Sequence, residues 1–491
     1  MNIKTVHGNI HETEADTLVV SVYKDGLAGA AGEIDEALGG ALRERLSEGD
    51  FTGEVGEVTV LYPRGNLTAK RVVVVGLGEQ DKVSLETIRK ASAAATRRAR
   101  KLNGKHVATA IHGASLGRKA AAQATTEGAL LALYRFDAQK QKEQVNELES
   151  VTVVAENDLS EVETGVRTAQ AVAAGVILAR DLVNMPPNVA TPSKLAEVAT
   201  EMAEKYGFGL TVGDRTWAAE HDMGAFLAVA KGAGEEPKFI VLEHNAGGKN
   251  LETIVLVGKG VTFDTGGITI KPGANMGAMK SDMGGAAAVL GAMRSVGELG
   301  LPLHVVGIVP STENMPDADA YRPADVIRAS KGKTIEIIST DAEGRMILAD
   351  ALVYAERYEP DIVIDLATLT GSAVIALGKG VAAGLFSTDD TLRDALVAAG
   401  TTSFERVWPL PLYEEYRKTI NSDVADMKNT GGRTGGVGTS AVFLQEFTNY
   451  PWAHLDIAGM ALADKGGGYM TKGGTGFGVR LLVEFLGSRT A

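Results

Sequence analysis

Short apolar runs alternate with helical patterns along the first 150 residues of the chain. Residues 17–23 and 71–75 are β-branched runs bounded by Gly or Asp, which is typical of buried strands in a mixed or parallel sheet. Residues 84–103 have a helical pattern, with a serine that can cap the start and a glycine after the end. The N-terminal part is therefore predicted to be a small α/β domain.

A longer helical pattern covers residues 159–184, with acidic residues at its start and a polar segment before it. The sequence N-M-P-P-N at residues 184–188 ends this pattern, because proline disrupts a helix interior. A helix of this kind is a natural linker between domains. We predict an N-terminal domain at residues 1–158, a linker helix at 159–184 and a larger domain at 185–491.

Beyond the linker, apolar runs of strand length alternate with helical segments. The runs are residues 238–243, 253–259, 303–309, 334–338 and 361–366, and the helical segments include 283–299 and 346–358. This alternation predicts a doubly wound α/β sheet, in which ligands collect at the carboxyl ends of strands. The predicted fold class is thus α/β for both domains.

Composition narrows the range of functions. The chain has 491 residues, no cysteine and a hydrophobic fraction of 45%. The lack of cysteine excludes disulfides, iron–sulfur clusters and thiol catalysis. The N-terminus does not resemble a signal peptide, and the longest apolar run, residues 169–179, is too short to span a bilayer. We predict a cytoplasmic protein with no membrane contact.

Charge is distributed unevenly. Basic and acidic side chains balance in residues 1–150, so the rest of the chain carries the whole net charge of −13. A basic stretch nevertheless lies near the end of the first long helix. It contains Arg89, Lys90, Arg97, Arg98, Arg100, Lys101 and Lys105. One interpretation is a nucleic-acid surface. A solvated face suited to the negative end of the helix dipole is favoured, because no aromatic side chain is interleaved for stacking.

A second alternative comes from residues 113–117, which match G-x-S-x-G between a predicted strand and a helix. This is the context of a serine hydrolase nucleophile, here Ser115. No nearby residue can be identified as the histidine or the acid of a triad. A glycine-rich turn without chemistry is therefore the favoured interpretation.

The strongest chemical signal is a set of carboxylates in glycine-rich segments after two predicted strands. Asp264, Asp282, Asp341 and Glu343 offer enough oxygens to hold two ions such as Mn²⁺, Mg²⁺ or Zn²⁺. No nucleotide-binding glycine motif and no H-E-x-x-H is present, so a metal site must be mainly carboxylate. Asp341 and Glu343 would point apart on a helix, but a turn loosened by Gly344 lets both face one point.

Three basic residues accompany these acids. Lys259 lies between two glycines just after a predicted buried strand, where two dications would favour a neutral, metal-binding amine. Lys271 precedes a proline and can face developing oxyanion charge. Arg345 can hold an anion or orient a water molecule. Together these residues predict a site for two divalent metal ions.

At this point the sequence resembles the leucyl aminopeptidase (cytosol aminopeptidase) family of dinuclear metallopeptidases. The family signature N-T-D-A-E-G-R corresponds to S-T-D-A-E-G-R at residues 339–345, with Ser339 in place of Asn. A second segment, G-K-G-x-T-F-D-[ST]-G-G-x-x-x-K-P, is intact at residues 258–272. Further matches lie at residues 179–184, 279–288, 313–316, 365–371 and 452–459.

The resemblance implies a role for each matching residue. One ion would be held by Lys259, Asp264, Asp282 and Glu343, and a more exchangeable one by Asp264, Asp341 and Glu343. Lys271 and Arg345 would be the catalytic pair. A bicarbonate-like anion at Arg345 would act as general base while Lys271 polarises the scissile carbonyl.

The resemblance also implies substrates and assembly. Met279, Thr368 and Gly371 would line the pocket for the N-terminal side chain. The activity would be two-metal hydrolysis, with Mn²⁺ or Zn²⁺, that releases N-terminal leucine or other hydrophobic residues from peptides. The N-terminal domain would be macro-like, and the protein would form a homohexamer, a dimer of trimers. An additional DNA-binding or architectural role remains an alternative for the basic stretch.

Overall fold

The computed structural model of the protein describes residues 1–27, 29–141, 146–156 and 158–490. The chain divides into two compact units, Met1–Ala173 with Lys465–Thr471, and Ala174–Asp464 with Lys472–Ala491. The division falls inside the helix Ser160–Asn184, which covers the predicted linker. The predicted domain boundaries themselves stay a prediction.

A six-stranded mixed sheet forms the centre of the first unit, in the order β1-β6-β5-β2-β4-β3. Neighbouring strands are parallel except β3, which pairs antiparallel with β4 at one edge. The strands are β1 (Asn2–His7), β2 (Thr17–Val22), β3 (Val58–Leu61), β4 (Arg71–Gly76), β5 (His106–Ala110) and β6 (Ser150–Ala155). Alternate residues of β4 enter two separate cores, Val72 and Val74 on one face and Val73 and Val75 on the other. Both faces of this sheet are therefore covered, as its continuous apolar strands predict.

Helices flank this sheet. They are α1 (Ala30–Ala37), α2 (Ala41–Glu48), α3 (Leu85–Lys101) and α4 (Arg118–Ala132), followed by α5 (Ser160–Asn184) at the division between the units. Ser84 caps α3 in a capping box with Thr87, as the sequence predicts for the start of this helix. The first unit is therefore an α/β layer structure of the predicted class.

The second unit contains a nine-stranded mixed sheet, whose main order is β16-β15-β18-β14-β9-β11-β8-β7, with β10 paired to β11. Its strands are β7 (Gly209–Gly213), β8 (Lys238–His244), β9 (Thr253–Gly258), β10 (Gly260–Asp264), β11 (His304–Asn314), β14 (Ile362–Ala367), β15 (Ala383–Ser387), β16 (Val407–Pro409) and β18 (Trp452–Asp456). The central strands β11, β9, β14 and β18 are mutually parallel. The doubly wound α/β prediction is confirmed for this unit.

Helices cover both faces of the nine-stranded sheet. They are α6 (Pro192–Tyr206), α7 (Arg215–Glu220), α8 (Gly224–Ala230), α9 (Gly284–Leu299), α10 (Glu343–Ala355), α11 (Gly371–Leu377), α12 (Asp390–Ser403), α13 (Glu414–Lys418), α14 (Gly436–Gln445) and α15 (Val479–Ser488). Val255 and Val257 of β9 share a core with Met346 of α10. Gly307 of β11 leaves room for Met293 of α9. This packing fixes the carboxyl ends of the central strands.

Short strands and one helix start differ from the sequence-based expectation. The run predicted as a strand before Asp341 is β13 (Thr334–Glu336), which belongs to a separate three-stranded sheet with β12 (Val326–Arg328) and β17 (Met427–Lys428). It pairs with β12 and β17 rather than with the large sheet. Asp264 ends a strand of its own, β10, and α10 begins at Glu343, three residues before the predicted start. Across the described ranges, no helix is both long and apolar enough to cross a membrane.

Candidate active site

Three carboxylates from different elements converge in the second unit. Ligand atoms of Asp264, at the end of β10, Asp341, in the turn before α10, and Glu343, the first residue of α10, lie within 4.8 Å of one another. Asp264 and Glu343 are each 2% exposed, whereas Asp341 is open to solvent. We call this group the carboxylate cluster. The sequence predicted that these residues face one point, and they do.

Lys259 reaches the cluster from the junction of β9 and β10. Its Nζ lies 2.8 Å from Oδ1 of Asp282 and 2.8 Å from Oε1 of Glu343, and it donates to the carbonyl oxygen of Thr368 at 2.9 Å. Burial lowers the pKa of Lys259, but Asp282, Glu343 and Asp264 outweigh it and hold the pKa above its ordinary value. In the protein chain alone, the amine is therefore an ammonium ion that neutralises the buried acids.

Gly344 has a different role from the one that the sequence suggested. A Cβ at this position would lie 2.6 Å from Cε and 2.7 Å from Nζ of Lys259. The residue is already inside α10, so it does not loosen a turn. Glycine is required here because the Lys259 side chain passes directly against the helix backbone.

Lys271 approaches the cluster from the opposite end of the glycine-rich loop. Its Nζ lies 2.7 Å from Oδ2 of Asp264 and also contacts Asp341. Although partial burial lowers the pKa of Lys271, Asp264 and Glu343 raise it above its ordinary value. Lys271 is thus charged, and its side chain is 23% exposed.

The loop between Asp264 and Lys271 is held by specific hydrogen bonds. Asn314 donates to Oδ1 of Asp264 at 2.8 Å and to the carbonyl oxygen of Thr340 at 3.0 Å. Gly266 and Gly267 have φ angles of 86° and 63°, which favour glycine. Asn314 therefore ties the first carboxylate to the turn that carries Asp341. Its role was not predicted from the sequence.

The donor set suits divalent metal ions. Burial raises the pKa of Asp264, and the neighbouring carboxylate of Glu343 raises it further. Burial raises the pKa of Asp282 in the same way, with further contributions from Glu343 and Asp264. Like charges held this closely in a buried site are stabilised only by cations. Carboxylate oxygens and one amine nitrogen are ligands for Mn²⁺, Zn²⁺ or Mg²⁺, so the residues fit the metals that the sequence predicts.

Arg345 lies in α10 near the cluster and is buried. Nη1 donates to the carbonyl oxygen of Asn429 at 2.9 Å and Nη2 donates to Oγ of Ser440 at 2.7 Å, whereas Nε has no hydrogen-bond partner within the described part of the chain. Burial lowers its pKa to about 10, so it remains charged at neutral pH. An unpartnered buried guanidinium donor is suited to an anion. Asn429 and Ser440 were not singled out from the sequence.

Comparisons with known proteins agree with this geometry. Residues 177–483 match the catalytic domain of the cytosol aminopeptidase family, and residues 19–143 match its N-terminal domain. The chain belongs to the cytosol aminopeptidase family. It is a metal-dependent aminopeptidase, a hydrolase of peptides, as the sequence predicts.

Individual relatives match over nearly the whole chain. A probable cytosol aminopeptidase of Roseiflexus castenholzii is 45% identical and covers 99% of both chains. One from Geotalea uraniireducens is 46% identical over 96% of both. Among solved structures, a tomato leucine aminopeptidase mutant has a TM-score of 0.89 at 35% identity, with 99% of this chain and 96% of that chain covered. The bottromycin maturation enzyme BotP in complex with Mn has a TM-score of 0.86 at 36% identity, with 97% and 100% covered.

In this aminopeptidase two of the predicted pocket residues, Thr368 and Met279, contact Asp282. Thr368 donates from Oγ1 to Oδ1 of Asp282 at 2.8 Å. Met279 belongs to the 3-10 helix Met276–Ser281, and its carbonyl oxygen accepts from the Asp282 backbone at 3.1 Å. Gly371 is the first residue of α11, three positions after Thr368. Asp282 thus lies between Thr368 and the segment that contains Met279.

Ser339 departs from the family signature, and its contacts are local. Its Oγ accepts from the backbone N–H of Asp341 at 3.2 Å, and its carbonyl oxygen accepts from Nδ2 of Asn429 at 2.7 Å. Oδ1 of Asn429 accepts in turn from the backbone of Ile338 at 2.8 Å. A serine therefore stabilises the turn that presents Asp341.

Ser115, the alternative nucleophile, has no catalytic surroundings. It is exposed in the 3-10 helix Ala114–Leu116. His112 is fully buried, its Nε2 lies 3.5 Å from Oγ1 of Thr109, and its Nδ1 has no hydrogen-bond partner in the ranges that the structure describes. Among the residues that the structure describes, no hydrogen bond joins Ser115 to a histidine or an acid. The glycine-rich turn is the interpretation that fits.

The basic stretch at the end of α3 is only partly a solvated face. Arg89 is 3% exposed, and its Nε binds Oε2 of Glu127 at 2.7 Å. Burial lowers the pKa of Arg97 and of Arg100. Arg89 therefore cannot reach a nucleic acid, and what remains exposed includes Lys90, Arg98, Lys101 and Lys105.

Proposed function

We propose that this aminopeptidase uses two divalent ions to release N-terminal leucine and other hydrophobic residues from peptides. The observation that carries the proposal is the convergence of Asp264, Asp341 and Glu343, with Lys259 in contact with Glu343 and with Asp282 held against Lys259. The preference for leucine is supported by the similarity to the tomato leucine aminopeptidase. The choice of Mn²⁺ or Zn²⁺ is supported by the donor set and by the Mn complex of BotP.

The two ions would have different but overlapping sets of ligands. Lys259, Asp264, Asp282 and Glu343 would hold one, and the more accessible Asp341 would join Asp264 and Glu343 around the other. Lys259 can bind a metal only after losing its proton. When bound, the ions lower the pKa of a water molecule and polarise the scissile carbonyl.

Two cations would complete the chemistry. Lys271 is charged and adjacent to Asp264 and Asp341, where an ammonium group can stabilise negative charge on the carbonyl oxygen. Arg345, through its unpartnered Nε, would hold a bicarbonate-like anion, which supplies a general base when bound. Arg345 itself stays protonated and orients that anion.

Substrate selection would depend on the segment around Asp282. Met279, Thr368 and Gly371 would contact the substrate's N-terminal side chain, and Met279 offers an adaptable apolar surface. Binding the free α-amine near the carboxylate cluster would restrict cleavage to the first peptide bond.

The decisive experiment replaces a shared ligand. We expect Glu343→Ala to lower hydrolysis of a leucine anilide by at least 10³-fold and to lower the bound metal measured by elemental analysis. Glu414→Ala, at an exposed glutamate of α13, is the control and should retain both. A folded, metal-replete Glu343→Ala protein with near-normal turnover would disprove the proposal.

The organisation of the whole protein is also proposed from the resemblance. The chain would consist of a macro-like domain at residues 1–158, a linker helix at 159–184 and the peptidase domain at 185–491. It would assemble as a homohexamer, a dimer of trimers, in the cytoplasm. Light scattering of the purified protein tests the assembly, and a monomeric mass at micromolar concentration would contradict it.

A further inference from the structure

Asp456 is a buried carboxylate that the proposed chemistry does not use. It ends β18 and is 1% exposed. Its Oδ1 accepts from the backbone N–H groups of Leu369, Thr370 and Ala458 at 3.3, 3.4 and 3.2 Å, and its Oδ2 accepts from Oγ1 of Thr370 at 2.7 Å. One side chain thus fixes two consecutive peptide groups in the loop between β14 and α11.

The fixed loop connects the cluster to the pocket. On its N-terminal side, Thr368 binds Lys259 through its carbonyl oxygen and Asp282 through its hydroxyl. On its C-terminal side, Thr370 caps α11 by accepting from the backbone of Ala373 at 3.0 Å, and Gly371 is the next residue. A shift of the loop would therefore move two proposed pocket residues together, Gly371 and Thr368, and Thr368 is also a hydrogen-bond partner of Lys259.

The base of this arrangement is rigid. Asp456 pairs with Ala367 in the parallel register of β14 and β18, at the centre of the large sheet. Beneath it, Asp365 accepts from Nε1 of Trp452 at 2.7 Å and from His454 at 2.6 Å. A residue at the end of a central strand can hold a loop more precisely than another loop can.

We propose that Asp456 is a positioning residue that sets the preference for the substrate's N-terminal side chain. It holds the Leu369–Thr370 peptide group in place. The hydroxyl of Thr368 thereby keeps its hydrogen bond to Asp282, and Gly371 keeps its position at the start of α11. This inference rests on the proposed function, because it assumes that Thr368 and Gly371 line the pocket. Asp456 touches no substrate and acts through the loop.

The test compares kcat/KM for two substrates as a ratio, because the ratio does not depend on the fraction of protein that is folded. For each variant, kcat/KM is measured for a leucine anilide and an alanine anilide at saturating Mn²⁺. We expect the leucine-to-alanine ratio to fall at least fivefold in Asp456→Ala. Asp456→Asn keeps an acceptor for the backbone N–H groups, so its ratio should stay within twofold of the original.

A second variant covers the case in which Asp456→Ala does not fold. Thr370→Val removes the 2.7 Å hydrogen bond and the cap but leaves the carboxylate, and its ratio should fall at least twofold. The matched control is Asp350→Asn, because Asp350 is also buried and also accepts from backbone N–H groups, those of Phe226 and Ser330. It should lose stability without a change in the ratio.

The experiment distinguishes failure of the positioning role of Asp456 from failure of the proposed aminopeptidase function. Unchanged ratios in active Asp456→Ala and Thr370→Val proteins, or an equal change in Asp350→Asn, would overturn the positioning role and leave the aminopeptidase intact. A wild-type protein that hydrolyses neither anilide would instead overturn the proposed function.

Discussion

The side chain of Lys259 occupies the space that a Cβ on Gly344 would require, with Cε only 2.6 Å from that position. The lysine cannot move aside easily, because its Nζ is held by Asp282, Glu343 and Thr368. Backbone packing of α10 thus sets where the nitrogen lies relative to the carboxylates. Gly344 therefore affects activity through the position of Lys259 Nζ, in addition to its effect on the helix.

Gly344→Ala should separate activity from stability. Gly344 is the second residue of α10, where the preference for alanine over glycine is worth less than the roughly 1 kcal/mol of a helix interior, so this gain offsets only part of the cost of the overlap with Lys259. The added methyl group displaces Nζ of Lys259 from its acidic partners, and we expect kcat/KM for a leucine anilide to fall at least tenfold. Steady-state kinetics and thermal unfolding of the same preparation check both effects. Loss of activity only in proportion to unfolded protein would contradict this explanation.

Arg345→Lys should show that a positive charge alone is insufficient at this position. The guanidinium donates to the Asn429 carbonyl at 2.9 Å and to Ser440 at 2.7 Å from two different nitrogens, and Nε offers a third donor position. The donors of a lysine all lie on one nitrogen atom, so a lysine cannot reach these separate positions together. We expect kcat to fall about 10²-fold, while KM for the leucine anilide changes less than threefold because the carboxylate cluster is intact. Activity measured against added bicarbonate is the second readout, and we expect the variant to lose any dependence on it. Equal activity of the two proteins would exclude the anion-holding role.

Removal of metal distinguishes the carboxylate cluster from Ser115. A chelator should abolish hydrolysis, and added Mn²⁺ or Zn²⁺ should restore it, because buried acids of like charge provide the binding site. A serine-directed inhibitor should have no effect, since Ser115 has no histidine partner among the described residues. Inactivation by that inhibitor in metal-replete protein would reverse this assignment.

The sequence predicted the parts of the fold that depend on local pattern. The β-branched runs became β2, β4 and β9, and the carboxylates after strand ends converge as expected. The small sheet that precedes Asp341 was not predictable, because β13 is only three residues long and one of its two partners, β17, is distant in sequence.

The contacts that support Arg345 were also not predictable from local sequence patterns, because they join residues that are distant in sequence. Asn429 and Ser440 lie 84 and 95 residues further along the chain. They reach Arg345 because β17 pairs with β13 and because α14 begins at Gly436, neither of which leaves a local signature. The one available signal was the glycine-rich stretch at residues 429–436, which is typical of a loop that passes close to other groups. Residues with metal-binding side chains can be recognised in a sequence by their type. Residues that orient a functional side chain, as Asn429 and Ser440 orient Arg345, can be recognised only once their position in the fold is known.

The stability of the first unit should depend on His112. Burial lowers its pKa to about 4, from an ordinary value near 6.5, and none of the described residues forms a hydrogen bond with Nδ1. Between these two pH values the unfolded chain binds a proton that the folded chain excludes, so stability is lost as pH falls from about 6.5 towards 4. The full shift corresponds to about 3 kcal/mol.

His112→Phe should remove this dependence while keeping the buried volume similar. We expect its unfolding free energy to change less than that of the wild type between pH 7 and pH 5, as measured by urea titrations that follow the first unit. Phe also removes a weak contact with Thr109, so the comparison concerns the slope with pH and not the absolute stability. His106→Phe, at a largely exposed histidine of β5, is the control and should keep the wild-type slope. Identical slopes for His112→Phe and the wild type would mean that His112 binds a proton as readily in the folded protein as in the unfolded chain, and the burial argument would fail.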